Sequence, residues 1–339
     1  NLVQVNQAQV ARFGSRIDAV YKYITENNTT TASGMDSDSK YTIQRFATGA
    51  ENLQSEESTN SSIGFVIQPE QLEGLTITYD AWKIEKDKTI GLFGRDNHTV
   101  LDLAMLIENG ASNCDSFTGN SAVLRDTDEL DDGVLALFAT AGICPVGQAY
   151  RVTDEYINMA KRTLEGQDVG VNYNFDTDVG TFRFKYNVTF TDTFKQVPTG
   201  NFSTIQNAQA SGAIPDYIVL AGFGDLLGID GNYDEKHSMK LSWRKGDWGA
   251  SLSGLKKGSF TQSSLTLGDG TKYNIPSMTT MDASVYYKFK VGDGSARIKF
   301  AVKNLEDTRA PTADRFFGFF ADAHQDYGRN YYLSLKVDM

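Results

Sequence analysis

Residues 181–195 read TFRFKYNVTFTDTFK. Phe182, Phe184, Tyr186, Val188, Phe190 and Phe194 fill one set of alternate positions. Thr181, Arg183, Lys185, Asn187, Thr189, Thr191 and Thr193 fill the other. Side chains that alternate with a period of two point to opposite faces of a β-strand. A strand this long, greasy on one side and charged on the other, needs an apolar medium against one face and water against the other.

The pattern recurs along the chain. Residues 278–291 set Met281, Ala283, Val285, Tyr287, Phe289 and Val291 against Thr280, Asp282, Ser284, Tyr286, Lys288 and Lys290. Ala296, Ile298, Phe300 and Val302 oppose Arg297, Lys299 and Lys303, and the chain closes on Tyr331, Leu333, Leu335, Val337 and Met339. Shorter alternations carry Met239, Leu241 and Trp243, then Trp248, Ala250 and Leu252, then Val169, Val171, Tyr173 and Phe175. Near the front, Ile63, Phe65 and Ile67 face Leu75, Ile77 and Tyr79. The pattern predicts about nine strands, near 58–68, 75–87, 155–175, 180–194, 236–245, 247–258, 278–291, 295–305 and 328–339.

Connection lengths predict the architecture. PEQLEG, DTDVG, KGD and GDG are short and rich in the Gly and Asp that tight hairpins need. They alternate with long connections near 88–154, 195–235, 259–277 and 306–327. In an up-and-down meander this puts tight turns at one rim and large loops at the other. Outer-membrane β-barrels have that asymmetry, with short periplasmic turns and long extracellular loops. The expected fold is therefore all-β, a transmembrane antiparallel up-and-down barrel. A soluble β-sandwich also alternates, but its strands are shorter and its turns do not sort by length.

Composition agrees. The formal charge of −11 repels phosphate backbones and argues against nucleic acid as a partner. No apolar run reaches the ~18 residues of a membrane helix, a test that does not register alternating strands. Residues 1–14 lack the basic start and apolar core of a signal peptide, and the chain is expected to begin partway through a longer protein. Residues 1–57 read as a loop region on the long-loop side with one helix, its stripe being Val10, Phe13, Ile17, Val20 and Ile24. Residues 58–339 read as the barrel strands.

Several segments resemble the TonB-dependent outer-membrane receptors. Leu53, Glu56, Glu57, Ser58 and Asn60 match a segment entering a strand, followed by Gly74, Leu75, Asp80 and Ile84. Glu165, Gly166, Asp168, Tyr173 and Phe175 match a second strand, Asn304, Leu305, Asp307 and Pro311 a loop start, and Gly328, Arg329 and Tyr331 the terminal strand. Ser55 stands where the family commonly has Pro, and Met339 where it commonly ends in Phe. The resemblance spans residues 52–339. It implies a 22-stranded barrel, of which this chain holds the last nine strands, filled by an N-terminal plug that works with a TonB-type energy-coupling complex. It also implies residence in the outer membrane of a Gram-negative bacterium, among outer-membrane lipid, and energised uptake of a scarce solute such as a siderophore, vitamin, oligosaccharide or peptide. A passive porin-like channel and an acidic extracellular β-rich binding or enzymatic protein are the alternatives.

The candidate sites lie in the long loops. No catalytic signature stands out, so no enzyme activity is expected. Phe316, Phe317, Phe319, Phe320 and His324 form an aromatic segment suited to stacking on a small-molecule, saccharide or peptide ligand, or to packing between loops. Asp126, Asp128, Glu129, Asp131 and Asp132 offer oxygen ligands to Ca²⁺ but lack EF-hand spacing; a solvated loop capping the next helix is the plainer alternative. No other cofactor is expected. Cys114 and Cys144 permit one disulfide, or stand as two separate thiols. A helix over 97–110, ending at Gly110, would make the first long loop a folded lid. Arg183, Lys185, Lys240, Arg244, Lys288, Lys290, Arg297, Lys299 and Lys336 face inward; the resemblance implies contact with the plug, and a solute path is the alternative.

Overall fold

The structure is a computed structural model that describes residues 19–20, 23–24, 27–28, 40–41, 43–117, 119–198, 200–214, 222–315 and 317–338. Nine long strands form its wall: β1 (Glu57–Ile67), β2 (Leu75–Asp87), β3 (Arg162–Thr177), β4 (Gly180–Gln196), β5 (Glu235–Lys245), β6 (Trp248–Lys257), β7 (Met278–Val291), β8 (Gly294–Lys303) and β9 (Asn330–Asp338). Each pairs antiparallel with the next in chain order, from β1 to β9. A short strand, Gly224–Asp225, adds to the end of β4. The architecture is the antiparallel up-and-down wall read from the sequence. Among the described residues β1 and β9 each keep one unpaired edge.

The register explains why the alternation matters. Phe182 pairs with Phe175 and Trp243, Phe184 with Tyr173 and Leu241, Leu252 with Leu241 and Ala283, and Phe300 with Val285 and Leu333. Apolar residues thus line up across strands, and a one-residue slip would turn a whole row onto the wrong face. No buried cluster includes this face. Ile63 is 77% exposed and Leu333 72%. The greasy side of the wall covers no core within the described residues.

Aromatics mark both ends of that face. Phe175 stacks on Phe182 at 5.2 Å and Trp248 lies 4.7 Å from Tyr287 near the tight turns. Phe65 stacks on Tyr79 at 5.2 Å two residues from the end of β1, beside the short connection to β2, and Phe190 sits toward the other rim. From Phe182 to Phe190 the strand rises about 26 Å. At the roughly 40° tilt of a barrel strand this covers about 20 Å of the ~25 Å apolar band that lies between two aromatic girdles.

The tight turns fall at Asp178–Val179, Gly246–Asp247 and Gly292–Asp293. Gly246 and Gly292 each adopt φ 57°, a conformation that costs glycine nothing. The opposite rim carries a cap. Its helices are α1 (Arg95–Asn109), α2 (Asp132–Ala141) and α3 (Asn201–Ala210). Leu103, Leu106, Phe138, Phe202 and Ile205 are buried together, joined by Val20 and Ile24 of the N-terminal segment. The cap is held by three separate stretches of sequence, so it is a folded unit rather than a set of tethers. Of the expected N-terminal helix, residues 19–20 and 23–24 are helical, while Val10, Phe13 and Ile17 lie outside the described residues.

Two boundaries differ from the sequence reading. The strand expected over 155–175 is two strands. Ala149–Asn158 leaves the wall and pairs parallel with Gln44–Thr48 and antiparallel with Ile90–Leu92 and Val123–Arg125. The break at 159–161 is tied down by Gln196, whose amide donates to Ala160 O at 2.7 Å and accepts from Arg162 Nε at 2.8 Å. The connection 259–277 also contains a hairpin of Phe260–Thr266 with Lys272–Ile275.

Candidate functional site: the cap and the inner face of the wall

The cap is organised around buried polar groups. Asp154, fully buried, accepts the Gly94 backbone N–H at 3.1 Å and lies 3.3 Å from His98 Nε2, with Arg45 4.0 Å away. Asn120 Nδ2 lies 3.3 Å from His98 Nδ1 and donates to His98 O at 3.0 Å. The two contacts suit a neutral imidazole that donates from Nε2 and accepts at Nδ1. Burial holds the His98 pKa below its ordinary value, although the Asp154 carboxylate pulls it upward. The Asn120 backbone in turn donates to Asp102, which pairs with the Arg125 guanidinium. The His98–Asp154 pair has the form of an acid–base dyad, but Asn120 occupies its free nitrogen, and among the described residues no hydroxyl or thiol hydrogen bond to it is found. It serves packing. The sequence analysis missed this cluster, since its members are scattered along the chain, His98 and Asp154 being 56 residues apart.

Cys114 and Cys144 form a disulfide with Cα atoms 5.2 Å apart. It joins the segment after α1 to the segment after α2. The acidic stretch is not gathered around a point. Asp126, Asp128, Glu129, Asp131 and Asp132 are all exposed. Asp131 accepts the Val134 N–H at 2.9 Å as the N-cap of α2, and Asp126 accepts the Asp128 N–H at 3.1 Å. Among the described residues no three His, Cys, Asp or Glu side chains are grouped to hold a metal ion.

The aromatic segment is divided. Phe317 is 66% exposed, with Phe319 half-buried 6.3 Å from it. Phe320 is buried beneath the Arg315 guanidinium at 4.4 Å, and Phe316 lies outside the described residues. His324 is buried and stacked on Phe260 at 5.6 Å, and neither ring nitrogen has a hydrogen-bond partner among the described residues. Burial, with Lys257 nearby, lowers its pKa. Phe320 and His324 thus form the floor of a small loop core with Ile275, Ala313 and Ala323, leaving Phe317 and Phe319 toward the surface. The Gln262 side chain ties this core to the last loop, donating to Asp314 O at 2.9 Å and accepting from Asp314 N at 3.1 Å. Arg309 closes the loop with two contacts to Asp326, at 2.8 and 2.5 Å.

The inner face of the wall is concave and polar. One cavity of about 800 Å³ is lined by Lys185, Lys240, Asp282, Lys303, Tyr327 and Tyr332. A second, of about 770 Å³, lies nearer the tight turns and is lined by Arg183, Arg244, Arg297, Lys299, Ser242 and Tyr286. Strand alternation alone puts these side chains here, as the sequence predicts.

The TonB dependent receptor-like, beta-barrel family profile matches residues 23–305. The chain belongs to that family, which is one of outer-membrane receptors and not of enzymes. No curated protein matches it. Among solved structures it is similar to the siderophore receptor PirA from Acinetobacter baumannii, with 14% identity over 85% of this chain and 32% of that one, TM-score 0.49. It is similar to the ferric enterobactin receptor PfeA from Pseudomonas aeruginosa, with 14% identity over 84% and 31%, TM-score 0.47. It is also similar to the FrpB iron transporter from Neisseria meningitidis, with 10% identity over 85% and 32%, TM-score 0.46. The chain spans about a third of the length of these proteins.

Proposed function

We propose that this chain forms the last nine strands of a 22-stranded barrel in the outer membrane of a Gram-negative bacterium, and that the complete receptor imports a scarce solute into the periplasm. The observation that carries this reading is the apolar face, aligned across nine strands and covering no core. Lipid is the medium that such a face requires. In lipid the unpaired edges of β1 and β9 would leave N–H and C=O groups unsatisfied, at several kcal/mol each. Further wall strands of the same receptor satisfy them, and an N-terminal plug fills the lumen.

In this reading residues 1–57 belong to the external loop region and 58–339 to the wall and its loops. The cap, the exposed Phe317 and the half-buried Phe319 meet the solute, which is a metal chelate, vitamin, oligosaccharide or peptide. A TonB-type inner-membrane complex supplies the energy, and the barrel makes and breaks no covalent bonds.

The test is uptake by whole cells that carry the complete receptor. Uptake that stops when the proton-motive force is collapsed supports an energised importer. Uptake that continues unchanged supports a passive channel. Recovery of the receptor in the soluble fraction without detergent would refute both.

A further inference from the structure

His324 lies in the last long loop and is 2% exposed. Its ring is stacked on Phe260 at 5.6 Å, inside the core built by Ile275, Ala313, Phe320 and Ala323. Neither ring nitrogen has a hydrogen-bond partner among the described residues. A neutral imidazole tolerates such a place as a flat ring with one N–H. A protonated one carries a full charge and two N–H donors, and this core offers no acceptor for either.

The charges around the ring do not compensate. Lys257, at the end of β6, donates to Ala323 O and faces Lys236 on β5. Arg315 stands over Phe320 and meets Asp230 at 3.6 Å. Lys272 of the hairpin donates to Ser263 O at 2.9 Å, Asp314 and Asp322 are exposed, and Tyr233 and Tyr273 pack on the remaining sides. Asp326 is committed to Arg309. His98 in the cap has Asp154 beside it; His324 has a lysine and no carboxylate bonded to its ring.

The stem of the loop is fastened separately. Asn304 exchanges hydrogen bonds with Thr308 at 2.8 and 2.9 Å, and Asp307 accepts the Arg329 N–H at 2.7 Å. Loss of the His324 core would therefore free the tip of the loop and leave its base in place.

We propose that the tip of the last external loop is a pH-operated latch: it stays docked on the Phe260 hairpin while His324 is neutral, and lifts when the ring takes up a proton. Burial, with Lys257 nearby, lowers the His324 pKa. Docking is thus complete above the unfolded value of about 6.5 and is lost as pH falls below it, by up to about tenfold per pH unit for one proton. Asp326, held at about 2, keeps the stem closed over this range. The latch does not depend on how the receptor is energised.

The test is hydrogen exchange on the complete receptor in detergent between pH 8 and pH 5, with rates corrected for the intrinsic effect of pH. The readout is protection of the Ala313 and His324 amides, which donate to Gly318 O and Phe320 O at 2.8 Å each. In wild type it should be level from pH 8 to about pH 7 and fall about tenfold by pH 5. His324→Phe keeps an aromatic ring without a proton site and should stay protected throughout. His324→Arg carries a fixed charge and should be unprotected even at pH 8. Lys257→Met removes the neighbouring cation and should move the fall to lower pH. His98→Gln should leave it unchanged, and amides of β7 and β8 should stay protected, because the wall does not open. A wild type that stays level down to pH 5 overturns the proposal, and so does a His324→Phe variant that falls as wild type does. Where His324→Phe fails to dock at pH 8, His324→Gln is read by the same criteria. If the tip lifts with pH while uptake survives collapse of the proton-motive force, the importer reading fails and the latch stands.

Discussion

Leu252 and Ser253 are neighbours on β6 and face opposite sides of the wall. Leu252 lies between Leu241 and Ala283 on the apolar face, midway between Trp248 at the lower girdle and the Lys256–Glu235 pair at the upper rim. Ser253 lies between Lys240 and Asp282 on the inner face. In a barrel, arginine on the lipid face near the midplane costs about 2–4 kcal/mol. Leu252→Arg should therefore lower the folding equilibrium constant about 30- to 1,000-fold, at roughly 1.4 kcal/mol per factor of ten. Ser253→Arg meets water, one like charge and one opposite charge, and should stay within about 0.5 kcal/mol of wild type, as ordinary exposed substitutions do. The assay is reversible urea unfolding of the complete receptor from lipid vesicles, followed by tryptophan fluorescence. If Ser253→Arg costs as much as Leu252→Arg, or if Leu252→Arg is silent, lipid does not cover the apolar face and the barrel assignment is wrong.

Other outcomes follow from the cap and the last loop. Replacing Cys114 and Cys144 with Ser should destabilise the cap by about 3–4 kcal/mol, the loop-closure value for their 30-residue separation; hydrogen exchange in α1 and α2 should rise while the wall strands stay protected. The lowered His98 pKa makes cap stability complete above the unfolded value near 6.5 and progressively lost as pH falls below it. Protease protection of α1 should therefore weaken between pH 7 and pH 5, and His98→Gln should flatten that dependence. Asp326, held to a pKa of about 2 by Arg309 and by the Ala310 N–H, should keep the last loop closed above about pH 4 and release it as pH falls toward 2. Asp326→Asn should expose Arg309 and Arg315 to trypsin at neutral pH. Gln262→Ala should loosen the same loop, since it removes both contacts to Asp314, and should leave the wall intact by hydrogen exchange.

The wall was legible in the sequence because a strand's two faces are written locally. Phe182, Phe184 and Tyr186 against Arg183, Lys185 and Asn187 need no tertiary information to sort inside from outside, and Gly–Asp turns against long loops order the rims. The inward direction of Arg183, Lys240, Arg244, Arg297 and Lys299 followed from the same parity. Parity does not say which strands lie side by side in which register, so the Lys288–Arg297–Lys336 row appeared only in the folded sheet. The cap was legible as helices but not as a unit. Val20, Leu103, Phe138 and Ile205 come from distant stretches, and burial among them is a property of packing. The same holds for His98 meeting Asp154 and for Cys114 reaching Cys144, pairings that composition permits and only three-dimensional proximity decides. His324, for which the sequence left ligand stacking and packing between loops both open, lies under Phe260, because the fold used that apolar segment to close its own loop core.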